Sequence, residues 1–299
     1  MRCALALLAQ LVVTGSVLAQ GVPAAAGASS HGTYGNPFGS RGYTVYRPAA
    51  LATLGGKPAI VVVLHGCGQG ADDIAKGTRM NAAADANGFI VVYPEQTAAA
   101  HPLRCWNWYS PSETTRGHGE VAILAGLVDS IATATNAGSV SLVGMSAGAA
   151  MAAQLAVAYP ERYAALALHS GVAALAANDA TEALGAMREG PTQADALGAK
   201  AVNAMGARTR GIPVILFHGA DDKVVSPSNL RALAQQWRVI DDGAYGRAAL
   251  VEEHLIPGVG HAWSGGAPDA TYTAPNAPDA TAMIVDFLHR VGALPTTSK

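Results

Sequence analysis

Residues 140–151 read VSLVGMSAGAAM, and this stretch decides the fold. Val140 to Val143 is a short apolar run of the kind buried in a central strand. Gly144-Met145-Ser146-Ala147-Gly148 follows at once, and Ala147 to Tyr159 continues Ala-rich and helical until Pro160. Buried strand, tight turn with a serine at its apex, then helix is the context in which G-x-S-x-G presents a nucleophile. The chain must reverse within a few residues, so glycine on both sides of the serine lets neighbouring backbone pass close by. The start of the helix leaves unpaired N–H groups beside the serine oxygen.

The same alternation runs outward in both directions. Gly42 to Arg47 alternates like a strand edge. Ala59 to Leu64 (AIVVVL) and Phe89 to Tyr93 (FIVVY) are continuous apolar runs, with a helix expected between them from Asp72 and Asp73 to about Asn87, stopped by Gly88. Glu120 to Ala134 has helical spacing. Beyond the serine, Tyr163 to Leu168, Val214 to Phe217 and Ala249 to Ile256 read as strands, and Asn229 to Asp241 and Ala280 to Val291 as helices. Buried strands alternating with helices predict an α/β fold, a doubly wound, mostly parallel sheet with helices on both faces. The expected domain covers residues 41–294. Residues 172–210 interrupt the alternation with Ala-rich sequence and no clear strand. They read as a helical insertion over the sheet, either a lid or an ordinary crossover with a longer helix pair.

Serine is a weak nucleophile at neutral pH and needs a base. The chain order that goes with such an elbow is serine, acid, histidine. Among the histidines beyond the serine and an acid, His289 lies on the last helix and His254 inside a strand. His261 follows Gly258-Val259-Gly260 in a loop after a strand, where active-site residues of parallel sheets gather. The acid is expected in the loop after Val214 to Phe217, and there Asp221 and Asp222 both stand open. Asp241 and Asp242 precede Gly243 and read as a solvated turn. An oxyanion developing at the substrate needs two aimed N–H groups. Ala147 is expected to supply one, and the loop His65-Gly66-Cys67-Gly68 the other, with Cys67 N–H the candidate. Trp106 and Trp108 in the cluster CWNWY, and Trp263 two positions after His261, are candidates for apolar substrate contacts or for buried loop anchors.

Arg2, the apolar run Ala4 to Val13 and Val17-Leu18-Ala19 read as an export signal over residues 1–19, too short in its apolar part to span a bilayer. Residues 20–40 are Gly-, Ala- and Ser-rich and are expected to form a disordered lead-in. Of three cysteines, Cys3 leaves with the signal, and Cys67 and Cys105 remain, as one disulfide or as two thiols. Charged residues make up only 13% of the chain and the formal net charge is -2, which argues against a nucleic-acid partner and against an anionic membrane surface. No helix carries H-E-x-x-H and the histidines are scattered, so a metal-dependent hydrolase is disfavoured and no metal is expected.

Five segments, VVVLHGCGQ, CWNWY, GMSAGAAM, HGADDKVV and GHAWSGG, occur in this order, and together they resemble the poly(3-hydroxybutyrate) depolymerase family of secreted esterases. Feruloyl and acetylxylan esterases of related sequence share the pattern. The likeness runs from about residue 42 to 290. It implies an α/β-hydrolase fold and carboxylester hydrolysis without a cofactor. It places the acid four positions after the histidine of H-G-x-x-D, which is Asp222 here, and it supports the Cys67 oxyanion role and a Cys67–Cys105 link. Members that attack solid polymer commonly carry a linker and a polymer-binding domain after the catalytic domain. This sequence runs to Lys299, so the expected substrates are hydroxybutyrate oligomers, amorphous polymer or small esters, with plant cell-wall feruloyl or acetyl esters as the alternative.

Overall fold

The continuous apolar runs are explained by a sheet with a core on each side. The structure, a computed structural model, describes residues 27–52, 56–191, 193–242 and 251–295. Its strands are β1 (Ala28–Asn36), β2 (Gly39–Arg47), β3 (Ala59–Leu64), β4 (Ile90–Glu95), β5 (Ser139–Met145), β6 (Ala165–His169), β7 (Val214–Gly219) and β8 (Val251–Ile256). They form one sheet in the order β1-β2-β4-β3-β5-β6-β7-β8. The pairs β1–β2 and β2–β4 are antiparallel, and every pair from β4 to β8 is parallel. Along β3, Ile60, Val62 and Leu64 enter one core while Ala59, Val61 and Val63 enter the other. Neither face meets water, so no polar alternation appears in the sequence.

The helices are α1 (Ala71–Thr78), α2 (Met80–Asn87), α3 (Pro111–Thr114), α4 (Gly119–Thr135), α5 (Ala147–Ala158), α6 (Ala180–Glu189), α7 (Ala194–Met205), α8 (Ser228–Asp242) and α9 (Ala280–Arg290). Helices α4 to α8 build the first core, and α1, α2 and α9 the second. Every residue of α5 is buried, and its alanines let it sit close on the sheet. A Cβ at Gly171 would come within 2.7 Å of the Ala149 Cβ.

Three expectations change, and a fourth is narrowed to one of its alternatives. Residues 28–40 are not a disordered lead-in, because Ala28–Asn36 pairs along its length with β2 and forms the sheet edge. The side chains of β1 are mostly exposed, so its polar, Gly-containing sequence gives no core signal. The helix expected over 72–87 is broken at Arg79, whose φ of 56° is left-handed, and Gly70 rather than an aspartate stands at its start. Asp241 is buried near the end of α8, not in a solvated turn. The insertion at 172–210 is a helix pair, α6 and α7. The proposed signal over 1–19 and residues 20–26 lie outside the described residues. Among the described residues no helix is long and apolar enough to cross a membrane.

Candidate active site

Ser146 follows β5 and caps α5 with φ 55° and ψ -122°, a conformation that a side chain adopts only under constraint. The flanking glycines show the constraint. A Cβ on Gly144 would lie 2.4 Å from the Gly148 carbonyl oxygen, and one on Gly148 only 2.2 Å from that of Leu64. The Ser146 N–H donates to the His169 carbonyl at 2.9 Å, which ties the elbow to β6.

Two further strand ends deliver the partners. Ser146 Oγ lies 2.9 Å from His261 Nε2, and His261 Nδ1 lies 2.7 Å from Asp222 Oδ2. A carboxylate only accepts, so Nδ1 carries the proton, and Nε2 is left to accept from the serine hydroxyl. Asp222 is buried, whereas its neighbour Asp221 is exposed. The Val224 and Val225 N–H groups each donate to Asp222 Oδ1 at 2.9 Å. Burial alone would raise the Asp222 value, but hydrogen bonds from His218 and His261 outweigh it and hold the carboxyl well below the usual carboxylate range. His254 stacks on Phe217 and His289 contacts Asn87, both away from the serine.

The loop after β3 faces the elbow. A Cβ on Gly66 would lie 3.4 Å from Ser146 Cβ, so this loop runs directly beside the serine. The Gly66 carbonyl accepts from Gln69 N–H at 3.3 Å across a turn whose third residue, Gly68, has φ +73°. Cys67 is bonded to Cys105. Neither Cys67 N–H nor Ala147 N–H finds a backbone acceptor among the described residues. Ala147 follows Ser146 directly in the chain, and Cys67 lies in the facing loop.

A buried polar frame, which the sequence reading missed, holds the loop from behind. Glu120 is fully buried and accepts from Arg41 Nη2 at 2.9 Å, Asn107 N–H at 2.8 Å, Asn107 Nδ2 at 2.9 Å, and Gln96 Nε2. His65 Nε2 accepts the Gln96 N–H at 3.0 Å, so its Nδ1–H donates to the Gly66 carbonyl at 2.7 Å. His169, behind the serine, accepts the Ser264 N–H at Nε2 and turns Nδ1–H to Ser170. Burial pushes His65 down to about 4 and His169 down to about 3, so both are neutral spacers. The signal available for the frame was weak: a glutamate among the apolar residues of the first turns of α4.

Ser146 and His261 open into a cavity of about 450 Å³. Among the described residues no Asp, Glu, Lys or Arg lines it; Trp108, Tyr109, Leu184 and Met187 are among its apolar walls. The three tryptophans separate here. Trp108 is 4% exposed and lines the cavity, whereas Trp106 at 0% and Trp263 at 1% are core residues that do not line it. Trp106 Nε1–H donates to the His65 carbonyl at 3.0 Å and Trp263 Nε1–H to Thr281 Oγ1 at 3.2 Å, so both are loop anchors.

The signature described as "Esterase PHB depolymerase" matches residues 41–253. The chain belongs to this family. Its members are esterases, and the chain is a carboxylic ester hydrolase of the α/β-hydrolase fold. It is 32% identical to feruloyl esterase B of Thermothelomyces thermophilus over 68% of this chain and 70% of that protein. It is 31% identical to poly(3-hydroxyalkanoate) depolymerase C of Paucimonas lemoignei over 61% of this chain and 45% of that protein. Among solved structures it resembles an acetyl xylan esterase from Aspergillus awamori, at 25% identity and a TM-score of 0.65, covering 78% of this chain and 94% of that one.

Proposed function

We propose that the protein is exported and cleaves uncharged, largely apolar carboxylic esters through an acyl-enzyme at Ser146, with hydroxyalkanoate esters as the leading substrates. The observation that carries this reading is the hydrogen-bonded series Ser146–His261–Asp222, 2.9 and 2.7 Å, opening into a cavity that no Asp, Glu, Lys or Arg among the described residues lines. Ser146 Oγ attacks the ester carbonyl carbon as His261 Nε2 takes its proton. Cys67 and Ala147 N–H groups receive the negative charge that moves to the carbonyl oxygen. The C–O bond to the alcohol breaks and His261 returns the proton to it. Water then attacks the acyl carbon, passing its proton to the same nitrogen, and the acid leaves with Ser146 restored. Asp222 stays ionised throughout and stabilises the imidazolium.

Leu103, Leu184, Val224 and Tyr272 are exposed large apolar residues at the cavity mouth. They suit a substrate whose chain continues past the scissile bond, as an oligomeric hydroxyalkanoate does. A feruloyl ester is the second reading, favoured by the Trp108–Tyr109 pair, whose rings pack edge to face with centroids 5.6 Å apart beside the cavity. A fluorophosphonate probe should label the protein, and Ser146→Ala should abolish labelling. A panel of hydroxybutyrate oligomers, methyl ferulate and acetylated xylan then ranks the substrates. Turnover of methyl ferulate without turnover of hydroxybutyrate oligomers would replace the leading substrate.

A further inference from the structure

Gln69 stands in the loop after β3, beside the cavity, and is only 3% exposed. Its side-chain oxygen is already used: the Gly66 N–H donates to Gln69 Oε1 at 2.9 Å. That bond fixes which end of the amide is which, because a backbone N–H can meet only the oxygen. The backbone on either side is held as well. Gln69 N–H closes the turn onto the Gly66 carbonyl, and Gly70 N–H donates to Asp73 Oδ2 at 2.8 Å. Gln69 Nε2 has no acceptor among the described residues, yet it is not one of the orphaned atoms sealed in the interior. The open space that Gln69 borders is the cavity, which it shares with Gly66, Cys67 and Ser146. Gly66 sits between amide and nucleophile: a Cβ there would lie 3.2 Å from Gln69 Oε1 and 3.4 Å from Ser146 Cβ.

We infer that Gln69 is a catalytic residue whose Nε2–H group donates to the ester carbonyl oxygen as it becomes negative, a third donor beside the Cys67 and Ala147 N–H groups. The inference rests on the acyl-enzyme reading above. The amide does two things at once. Its oxygen holds the loop in shape and its nitrogen spends a donor on the reacting oxygen. A primary amide fits both tasks; a carboxylate fits only the first.

Gln69→Glu therefore separates the tasks. It keeps an acceptor for Gly66 N–H and removes the donor. Gln69→Met removes both while keeping the length. With p-nitrophenyl butyrate, both variants should lose kcat on the order of 10²-fold, while KM stays within about threefold and the melting temperature of Gln69→Glu stays close to that of the wild type. An alkylboronate, which forms a tetrahedral adduct on the serine, should lose affinity in Gln69→Met by about the same factor as kcat/KM. Wild-type kcat in Gln69→Glu, or unchanged boronate affinity in Gln69→Met, overturns the donor role. Fluorophosphonate labelling of the wild type distinguishes the two failures. If Ser146 labels and Gln69→Glu turns over normally, the Gln69 inference falls alone. If Ser146 does not label, both readings fall.

Discussion

Acidification should unfold this protein through two imidazoles that never act on substrate. His65 follows β3 at the start of the loop that faces the elbow, His169 ends β6 behind Ser146, and each uses a bare ring nitrogen to accept a backbone N–H. Protonation would turn that acceptor into a donor facing a donor. Burial is the main cause of both depressed values, about 4 for His65 and about 3 for His169. In the unfolded chain both return to about 6.5. The unfolded state therefore binds more protons as pH falls below 6.5, and stability drops with it until the folded values are reached. Between pH 7 and pH 5 each ring costs about 2 kcal/mol. That figure is set by the unfolded value, because at pH 5 both folded rings are still neutral. Together the loss is about 4 kcal/mol, a large share of a typical domain's stability of about 5–15 kcal/mol. Asp222 and Glu161, whose values are lowered, add their loss only under more acid conditions, as pH falls below the ordinary carboxylate range.

Urea unfolding followed by tryptophan fluorescence at pH 7, 6 and 5 measures this directly. His169→Gln is expected to be less stable at neutral pH but to show about half the wild-type loss between pH 7 and 5. The slope, not the absolute stability, is the readout. A wild-type unfolding free energy that changes by less than about 1 kcal/mol over this interval refutes the argument. So does a His169→Gln slope equal to that of the wild type.

The remaining predictions concern the site and its frame. Asp222→Asn should lower kcat on the order of 10⁴-fold by releasing the imidazole tautomer, while Asp221→Asn should leave steady-state kinetics within about twofold of the wild type. Replacing Cys67 and Cys105 by serine opens a link of sequence separation 38. Urea titration should show a loss of about 4 kcal/mol in the chain-entropy account, with kcat falling as the Cys67 N–H loses its fixed place. Gly148→Ala forces a methyl to within 2.2 Å of the Leu64 carbonyl oxygen. It should cost about 3 kcal/mol or more in thermal unfolding and remove most activity.

The sheet was legible because its central strands are buried on both sides; Ser146 and Asp222 were legible because each follows such a strand, and His261 because a Gly-Val-Gly loop follows the edge strand β8. Choosing Asp222 over Asp221 needed more than pattern, since adjacent aspartates differ only in direction. The family motif supplied the choice, and the geometry of Asp222 Oδ2 agrees with it. The strand β1 was missed for a physical reason: it is an edge strand with exposed side chains, so it has no apolar period to detect. The tryptophans show the opposite difficulty. A ring beside a catalytic histidine in sequence is displaced from it in space when the backbone between them turns, and Trp263 turns inward to Thr281. Trp106 and Trp108 are separated by one residue, yet only Trp108 reaches the cavity. Glu120 was hidden most deeply, because its four donors come from Arg41, Gln96 and Asn107, three separate segments that sequence spacing cannot bring together. Motif spacing thus locates the groups that meet the substrate, whereas the buried charges that hold those groups still are visible only once the chain has folded. With Arg41 removed, the buried Glu120 loses its counter-charge, so the stability of the loop after β3 depends on residues that no catalytic motif contains.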